Sequence, residues 1–280
     1  MASKWLCIEQ PGPWGSAAPW DSGLDAEVAE ELTRRAAAIG VRTVLIRRPG
    51  RHQQSVGRTV YLASTTPGDT WLRRATVSDP REVLDWRLSS DEVGEASEDL
   101  LLLVCTNGRR DVCCALTGRP LAKELAERHG NIVWESSHLG GHRFAPTVLL
   151  LPSGYSYGHM DAEACGRILA EATAGRVVVD RCRGRSTWSE PGQAAELALR
   201  AHLADFAVEA VTVVRETLCG ADVWDVRLRH RHTAEWRVVV YRHASPPARP
   251  PACGVAPRVP TTISVGVIGP VVPTVCAAIT

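Results

Sequence analysis

Two short clusters of cysteine and histidine residues, each directly after an apolar run of strand type, constrain the fold of this chain most strongly. The first cluster, CTNGRRDVCC at 105–114, follows the run LLLLV at 100–104. The second, SSHLGGH at 136–142, follows the run NIVWE at 131–135. Thiolate and imidazole donors, delivered by the loops after two strands, can form a four-ligand metal or iron–sulfur site.

The composition is that of an ordinary folded protein. Of 280 residues, 45% are apolar and 22% are charged, which predicts a substantial core in two or three domains. The net charge of +1 provides no bulk attraction for nucleic acid or for an anionic membrane. The uncharged segment 261–280 is long enough for a membrane span, but its prolines and glycines favour a loosely ordered or partner-covered tail.

The N-terminal segment MASKWLCIE meets a charge too early for the apolar region of a secretory signal. We therefore expect a cytoplasmic protein in a reducing compartment. Its nine cysteines are then better explained as ligands, reactive thiols or buried apolar residues than as disulfides.

Three regions follow from the order of strand-like and helix-like runs. Residues 1–95 read as an α/β unit, in which Leu24, Val28 and Leu32 recur at helical spacing between two strands. The acidic, polar stretch 90–99 is typical of a linker. Residues 183–280 predict a helix, a small antiparallel sheet of three strands and a Pro-rich tail.

The middle region, residues 96–182, has the clearest pattern. A strand at 100–104 leads to a helix that we expect to begin near Pro120, a favoured first-turn residue, and to end at Gly130. A second strand, a hairpin through Pro152-Ser153-Gly154 and a closing helix follow. The order β-α-β-β-β-α is that of the thioredoxin fold, and residues 1–95 resemble a degenerate copy of it.

The two clusters are similar to those of the sucrase/ferredoxin-like family. The similarity covers about 101–158 closely, and the runs IEQPGPWG and VLIRRPG extend it toward the N-terminus. It implies a thioredoxin-like ferredoxin domain with a [2Fe–2S] cluster held by two cysteines and two histidines. Carried over by position, it nominates Cys105, Cys114, His138 and His142 as ligands. Similarity to the thioredoxin segment before an antiparallel strand also implies a cis peptide bond at Pro146.

The implied ligand set has chemical consequences. With two thiolates and two neutral imidazoles the oxidised cluster is formally neutral, so it accepts an electron more easily than a four-thiolate cluster does. The second nitrogen of each imidazole can titrate, which would couple reduction to proton uptake. We therefore expect an electron carrier or redox sensor, rather than an enzyme, with a redox protein as its partner. We identify no pair of carboxylates across a sugar site, so sucrase activity has no support.

Two other classes of function stay open. A thioredoxin-like thiol oxidoreductase would use the adjacent Cys113 and Cys114, but the chain lacks a Cys-x-x-Cys at the strand–helix junction. A structural zinc site would use the same four ligands, although eight residues separate Cys105 from Cys114 where zinc knuckles usually leave roughly two to four. We expect the remaining cysteines to be packed apolar residues, namely Cys7, Cys165, Cys182, Cys219, Cys253 and Cys276.

Overall fold

The structure is a computed structural model that describes residues 1–50, 57–232, 235–251 and 254–271. It contains a mixed ten-stranded sheet flanked by helices and a separate four-stranded antiparallel sheet near the C-terminus. The predicted α/β fold class with an additional antiparallel sheet is therefore confirmed. Cys253 and Cys276 lie outside the described residues.

The first unit of the large sheet has a strand–helix–strand start. Strand β1 pairs parallel with β2 and antiparallel with β3, and β4 and β5 extend the sheet to its edge. The elements are β1 (Lys4–Glu9), α1 (Ala26–Ala38), β2 (Val41–Arg47), β3 (Arg58–Thr66), β4 (Asp69–Val77), a 3-10 helix (Pro80–Asp85) and β5 (Glu95–Ala96).

Helix α1 forms where the apolar spacing predicts it. The Asp25 carboxylate accepts hydrogen bonds from the backbone amides of Glu27 and Val28, which caps the helix at its start. Val28 and Leu32 lie on the buried face, packed with Leu6 and Leu45 of the sheet. Their burial fixes the helix on one side of the first unit.

The second unit repeats this pairing. Strand β6 pairs parallel with β7 and antiparallel with β8, and β9 pairs with β8. The strand order β7-β6-β8-β9 therefore matches the order β2-β1-β3-β4 of the first unit, as expected for a degenerate copy. The Ala145–Pro146 peptide bond is cis, as predicted. The elements are β6 (Leu101–Cys105), α2 (Val112–His129), β7 (Val133–Ser136), a 3-10 helix (His142–Phe144), β8 (Val148–Leu151), β9 (Tyr155–Tyr157), α3 (Ala162–Thr173) and β10 (Cys182–Arg185).

The two units share one sheet because β2 and β7 pair antiparallel at the centre. An apolar cluster crosses this junction on one face and includes Trp5, Tyr61 and Trp134. The rings of Tyr61 and Trp134 meet edge to face at 5.9 Å. A continuous core therefore joins the N-terminal unit to the unit that carries the two clusters.

Helix α2 begins eight residues earlier than predicted. It starts at Val112, not near Pro120, and Pro120 lies inside it. The cause is Asp111, whose carboxylate accepts a hydrogen bond from the amide of Cys113 and so caps the helix. The correction matters for chemistry, because it moves Cys114 from a loop to the first turn of a helix.

The C-terminal region has one helix against a four-stranded sheet. Ala195 and Leu199 of the helix pack on Val226, Leu228 and Val238 of the strands. The predicted alternation is therefore confirmed: Val226 and Leu228 are fully buried. The elements are α4 (Glu190–Leu203), β11 (Val211–Gly220), β12 (Val223–His230), β13 (Glu235–Ala244) and β14 (Thr261–Pro270).

Strand β14 corrects the expectation of a loosely ordered tail. Residues 261–270 pair antiparallel with β13, so this part of the uncharged segment is a regular strand. Its threonine, valine and isoleucine residues have the branched side chains that suit a pleated sheet. No helix in the described part of the chain is both long and apolar enough to cross a membrane.

Candidate metal centre

The parallel pair β6 and β7 brings the two clusters to the same edge of the sheet. Cys105 is the last residue of β6 and lies opposite Ser136, the last residue of β7. His138 follows β7 by two residues, and Cys114 lies in the first turn of α2. The two sulfur atoms and a ring nitrogen of His138 all lie within 4.8 Å of one another.

The two thiol groups at this centre are buried. Cys105 is 0% exposed and Cys114 is 1% exposed, whereas Cys113 is exposed. Helix α2 can approach β6 this closely because of Gly118: a Cβ atom there would lie 2.2 Å from the carbonyl oxygen of Cys105. A side chain at position 118 would push the helix, and with it Cys114, away from the strand.

Hydrogen bonds within the centre change the acidity of both thiols. The pKa of Cys105 lies well below its usual value because Cys114 donates a hydrogen bond to it; burial opposes the shift, and His138 and the amide of Leu139 add to it. The same hydrogen bond, together with burial, raises the pKa of Cys114. Metals bind thiolates, so a site that lowers the pKa of one sulfur is suited to a metal.

The second cluster forms a tight loop held by an arginine. Nη2 of Arg42 donates a hydrogen bond of 2.9 Å to the carbonyl oxygen of His138. Gly140 and Gly141 both have positive φ, at 93° and 68°, which glycine adopts without strain. His142 begins the following 3-10 helix, but its side chain lies outside what the structure describes.

The structure therefore brings three of the four nominated ligands together, and the role of His142 stays a prediction. Cys7, Cys165 and Cys182 lie elsewhere, and burial raises the pKa of each, to about 12 for Cys165 and Cys182. Cys219 is exposed, contrary to its expected packing.

A buried ion pair supports the residue that follows Cys105. Nη2 of Arg47 lies 2.7 Å from Oε2 of Glu135, and the hydroxyl of Thr106 donates to the same oxygen at 2.9 Å. Arg47 also lies over the ring of Trp14, at 4.2 Å from its centroid. Sequence reasoning missed this support, and it also missed Arg42, because both arginines lie about ninety residues from their partners in the second unit.

Two buried hydroxyl groups on residues that neighbour Cys105 bear on whether the site suits a metal centre with sulfur ligands. Oγ of Ser136 and Oγ1 of Thr147 have no hydrogen-bond partner among the described residues. Ser136 lies opposite Cys105, and the carbonyl oxygen of Thr147 accepts from the Cys105 amide at 3.0 Å. Neither hydroxyl forms a hydrogen bond with a sulfur atom of the residues that the structure describes, so both remain available to a group bound at the centre. The two sulfur ligands and the imidazole ligand fit a zinc ion or an iron–sulfur cluster.

Fold and site together define an α/β protein of thioredoxin-like topology with a centre of two buried cysteines and a half-buried histidine. The family model described as sucrase/ferredoxin-like matches residues 1–184, which is more than half of the 280-residue chain. The chain belongs to this family. No curated protein and no solved structure matches it. Helix α4 and the C-terminal sheet lie beyond the matched residues.

Proposed function

We propose that this protein carries a [2Fe–2S] cluster held by Cys105, Cys114, His138 and His142 and serves as an electron carrier or redox sensor. One observation carries the proposal: two buried sulfur atoms and an imidazole nitrogen lie within 4.8 Å of one another at the end of the parallel strand pair. The cluster would supply one-electron chemistry at a potential raised by the imidazole ligands.

The chain's own residues would hold and tune that centre. Burial of Cys105 and Cys114 keeps water from the sulfur atoms, and the buried hydroxyls of Ser136 and Thr147 have donors available to a group bound at the centre. Arg42 fixes the loop of His138 through its carbonyl oxygen. Cysteines that act as ligands suit the reducing cytoplasm that we propose as the location of this protein.

A redox partner protein would approach the start of α2. Val112 and Leu116 are 52% and 70% exposed there, two residues to either side of buried Cys114. Arg109 and Arg110 are also exposed, just before the helix. An apolar surface bordered by arginines is suited to an acidic protein partner.

A single zinc ion is the second candidate, and a specific distance favours it. Sγ of Cys105 lies 3.9 Å from Nδ1 of His138. Zinc–sulfur and zinc–nitrogen bonds at a tetrahedral angle would place these atoms roughly 3.6 Å apart. A thiol oxidoreductase is the third candidate, favoured by the lowered pKa of Cys105 and opposed by the complete burial of that thiol.

One experiment separates the three functions. The protein is purified without oxygen and analysed for iron, acid-labile sulfide and zinc, and a visible spectrum is recorded. A cluster gives equal amounts of iron and sulfide in a reddish-brown protein, zinc gives a colourless protein, and a thiol enzyme needs neither. Iron and sulfide far below one cluster per chain, in protein purified under these conditions, would rule out the proposed function.

A further inference from the structure

A cavity of about 600 Å³ lies beside the histidine loop. Leu139, Gly140 and Gly141 of the loop form part of its wall. The opposite wall comes from the C-terminal region, including Trp188, Trp224 and Arg242. The volume is within the roughly 300–1,000 Å³ of pockets that hold small organic molecules.

Two guanidinium groups line the cavity where it meets the loop. Arg42 reaches it from β2, with its charged group over the ring of Trp5 at 4.9 Å. Arg183 reaches it from β10, and a Cβ atom on Gly141 would lie 2.2 Å from its Nη1 atom. The absence of a side chain at Gly141 therefore makes room for Arg183 against the loop.

The charge of Arg183 lacks a direct counter-charge. Within the described part of the chain it forms no ion pair and no hydrogen bond; its contact is with the ring of Phe144, at 4.5 Å. Burial lowers its pKa, nearby Arg143 lowers it further, and Glu190 attracts it from a distance. The Arg183 guanidinium is half-buried, and its nitrogen donors are accessible to an anion that enters the cavity.

The two carboxylates among the lining residues, Glu190 and Glu216, belong to the C-terminal region rather than to the histidine loop. Glu190 pairs with Arg242 at 3.5 Å, and Glu216 accepts a hydrogen bond from the hydroxyl of Ser189. Arg42 uses Nη2 on the carbonyl oxygen of His138, which leaves its net charge in place. The loop end of the cavity is therefore positive, and its remaining wall includes apolar and aromatic side chains.

We propose that this cavity binds a small organic anion whose carboxylate or phosphate group pairs with Arg183 and Arg42. The apolar part of the ligand packs against Leu139 and the tryptophans of the C-terminal region. Because family similarity ends at residue 184, this site depends on a part of the chain that the family match does not cover. The proposal holds whichever metal the neighbouring centre carries.

Calorimetric titration of the purified, metal-loaded protein tests the site with three probes of similar size. Phenyl phosphate and benzoate distinguish a phosphate from a carboxylate ligand, and benzamide is the neutral control. We expect at least one anion to bind at one site per chain, about tenfold or more tightly than benzamide, because charge-assisted hydrogen bonds to arginine require the anion. No binding by either anion, or equal binding by benzamide, would overturn the proposal.

Arg143 provides a matched control for Arg183. Both guanidinium groups stack on Phe144, at 4.6 and 4.5 Å, but Arg143 is exposed and does not line the cavity. Arg183→Gln should weaken anion binding about tenfold or more, whereas Arg143→Gln should change it about threefold or less. Equal losses in the two variants would refute a specific site at Arg183. Circular dichroism checks that both variants fold, and the comparison of anions with benzamide needs no variant at all.

Discussion

At the scale of single residues, the neighbouring Cys113 and Cys114 differ sharply. Cys114 is buried within the candidate centre, and Cys113 is exposed. We therefore expect Cys114→Ser to lose most of the bound metal and Cys113→Ser to retain it, as measured by metal analysis and the visible spectrum. Loss of metal in Cys113→Ser alone would transfer the ligand role to the neighbouring residue.

His138 permits a test of ligand type. Replacing a neutral imidazole by a thiolate adds negative charge to the centre, so His138→Cys should lower the reduction potential by roughly one to a few hundred millivolts and shift the visible spectrum. His159→Ala is the control, because His159 is exposed and packs edge to face on Phe144 instead. An unchanged potential in His138→Cys protein that retains its iron would exclude His138 as a ligand.

The sequence reveals the ligand candidates but not their surroundings. Cys105, Cys114 and His138 stand out because they lie in two cysteine and histidine clusters that follow strands and resemble those of the sucrase/ferredoxin-like family. Arg42 and Arg183 carry no such signal, since an isolated arginine in a strand has the same appearance whether it faces solvent or a cavity. Only the fold brings them to the loop at 138–142, one from β2 and the other from β10.

At the scale of elements, the cap of α2 has a double role. Asp111 holds the first turn through the amide of Cys113, and the next residue is a proposed ligand. Asp111→Ala should cost about 1 kcal/mol of unfolding free energy and also reduce metal retention. Asp161→Ala is the control, because Asp161 caps α3 in the same way but lies outside the candidate centre. Denaturant unfolding and metal analysis of both variants test this; equal metal loss in both would contradict it.

The cap of α3 also predicts a dependence on pH. A hydrogen bond from the amide of Ala164 and another from Arg181 lower the pKa of Asp161 below its usual 3.8. A carboxyl group whose pKa is lowered by folding stabilises the fold fully at pH values above its usual pKa. This stabilisation is lost as the pH falls through the lowered pKa of the folded state. The stability advantage of wild type over Asp161→Asn should therefore be present at neutral pH and shrink in acid. Unfolding measured across this range checks the sign, and an advantage that grew in acid would contradict it.

The missed elements are those with weak local signals. Strand β14 contains two glycines and follows a Pro-rich connection, so its sequence resembles a tail until β13 supplies hydrogen-bond partners. The early start of α2 depends on a single capping side chain, Asp111, whereas Pro120 gives the more familiar signal of a helix start. Segments such as α1 and β12 were predictable because their apolar residues recur at the spacing that places them on one buried face of a helix or strand.

At the scale of the whole molecule, two units of the same topology share a sheet, but the nominated ligands all lie in the second. Cys105 ends β6 opposite Ser136, and at the corresponding place in the first unit Glu9 ends β1 opposite Ile46. Glu9 is buried and accepts a hydrogen bond from the amide of Thr59. The first unit therefore keeps the strand–helix scaffold. In it, the residue that corresponds to Cys105 is Glu9, whose carboxylate binds the backbone of β3.

A buried charged cluster fastens α4 to the second unit. Glu196 and Arg200 are 0% exposed and pair at 2.9 Å, and Arg200 also donates to the hydroxyl of Tyr155 in β9. Glu196→Ala would leave the Arg200 charge buried and unpaired, so we expect a loss of about 3–5 kcal/mol in unfolding free energy. Glu171→Ala, which breaks the exposed pair with Arg176, should cost less than about 1 kcal/mol.

Denaturant unfolding of the two variants measures this difference. Because Glu190, Pro191 and Gln193 of α4 line the cavity, Glu196→Ala should also weaken anion binding. Glu171→Ala should leave anion binding unchanged. Similar stability losses in the two variants would show that the buried pair does not hold the C-terminal region to the sheet. Helix α4 connects the two parts, because its Arg200 contacts Tyr155 of the second unit while its Leu199 packs on the C-terminal strands.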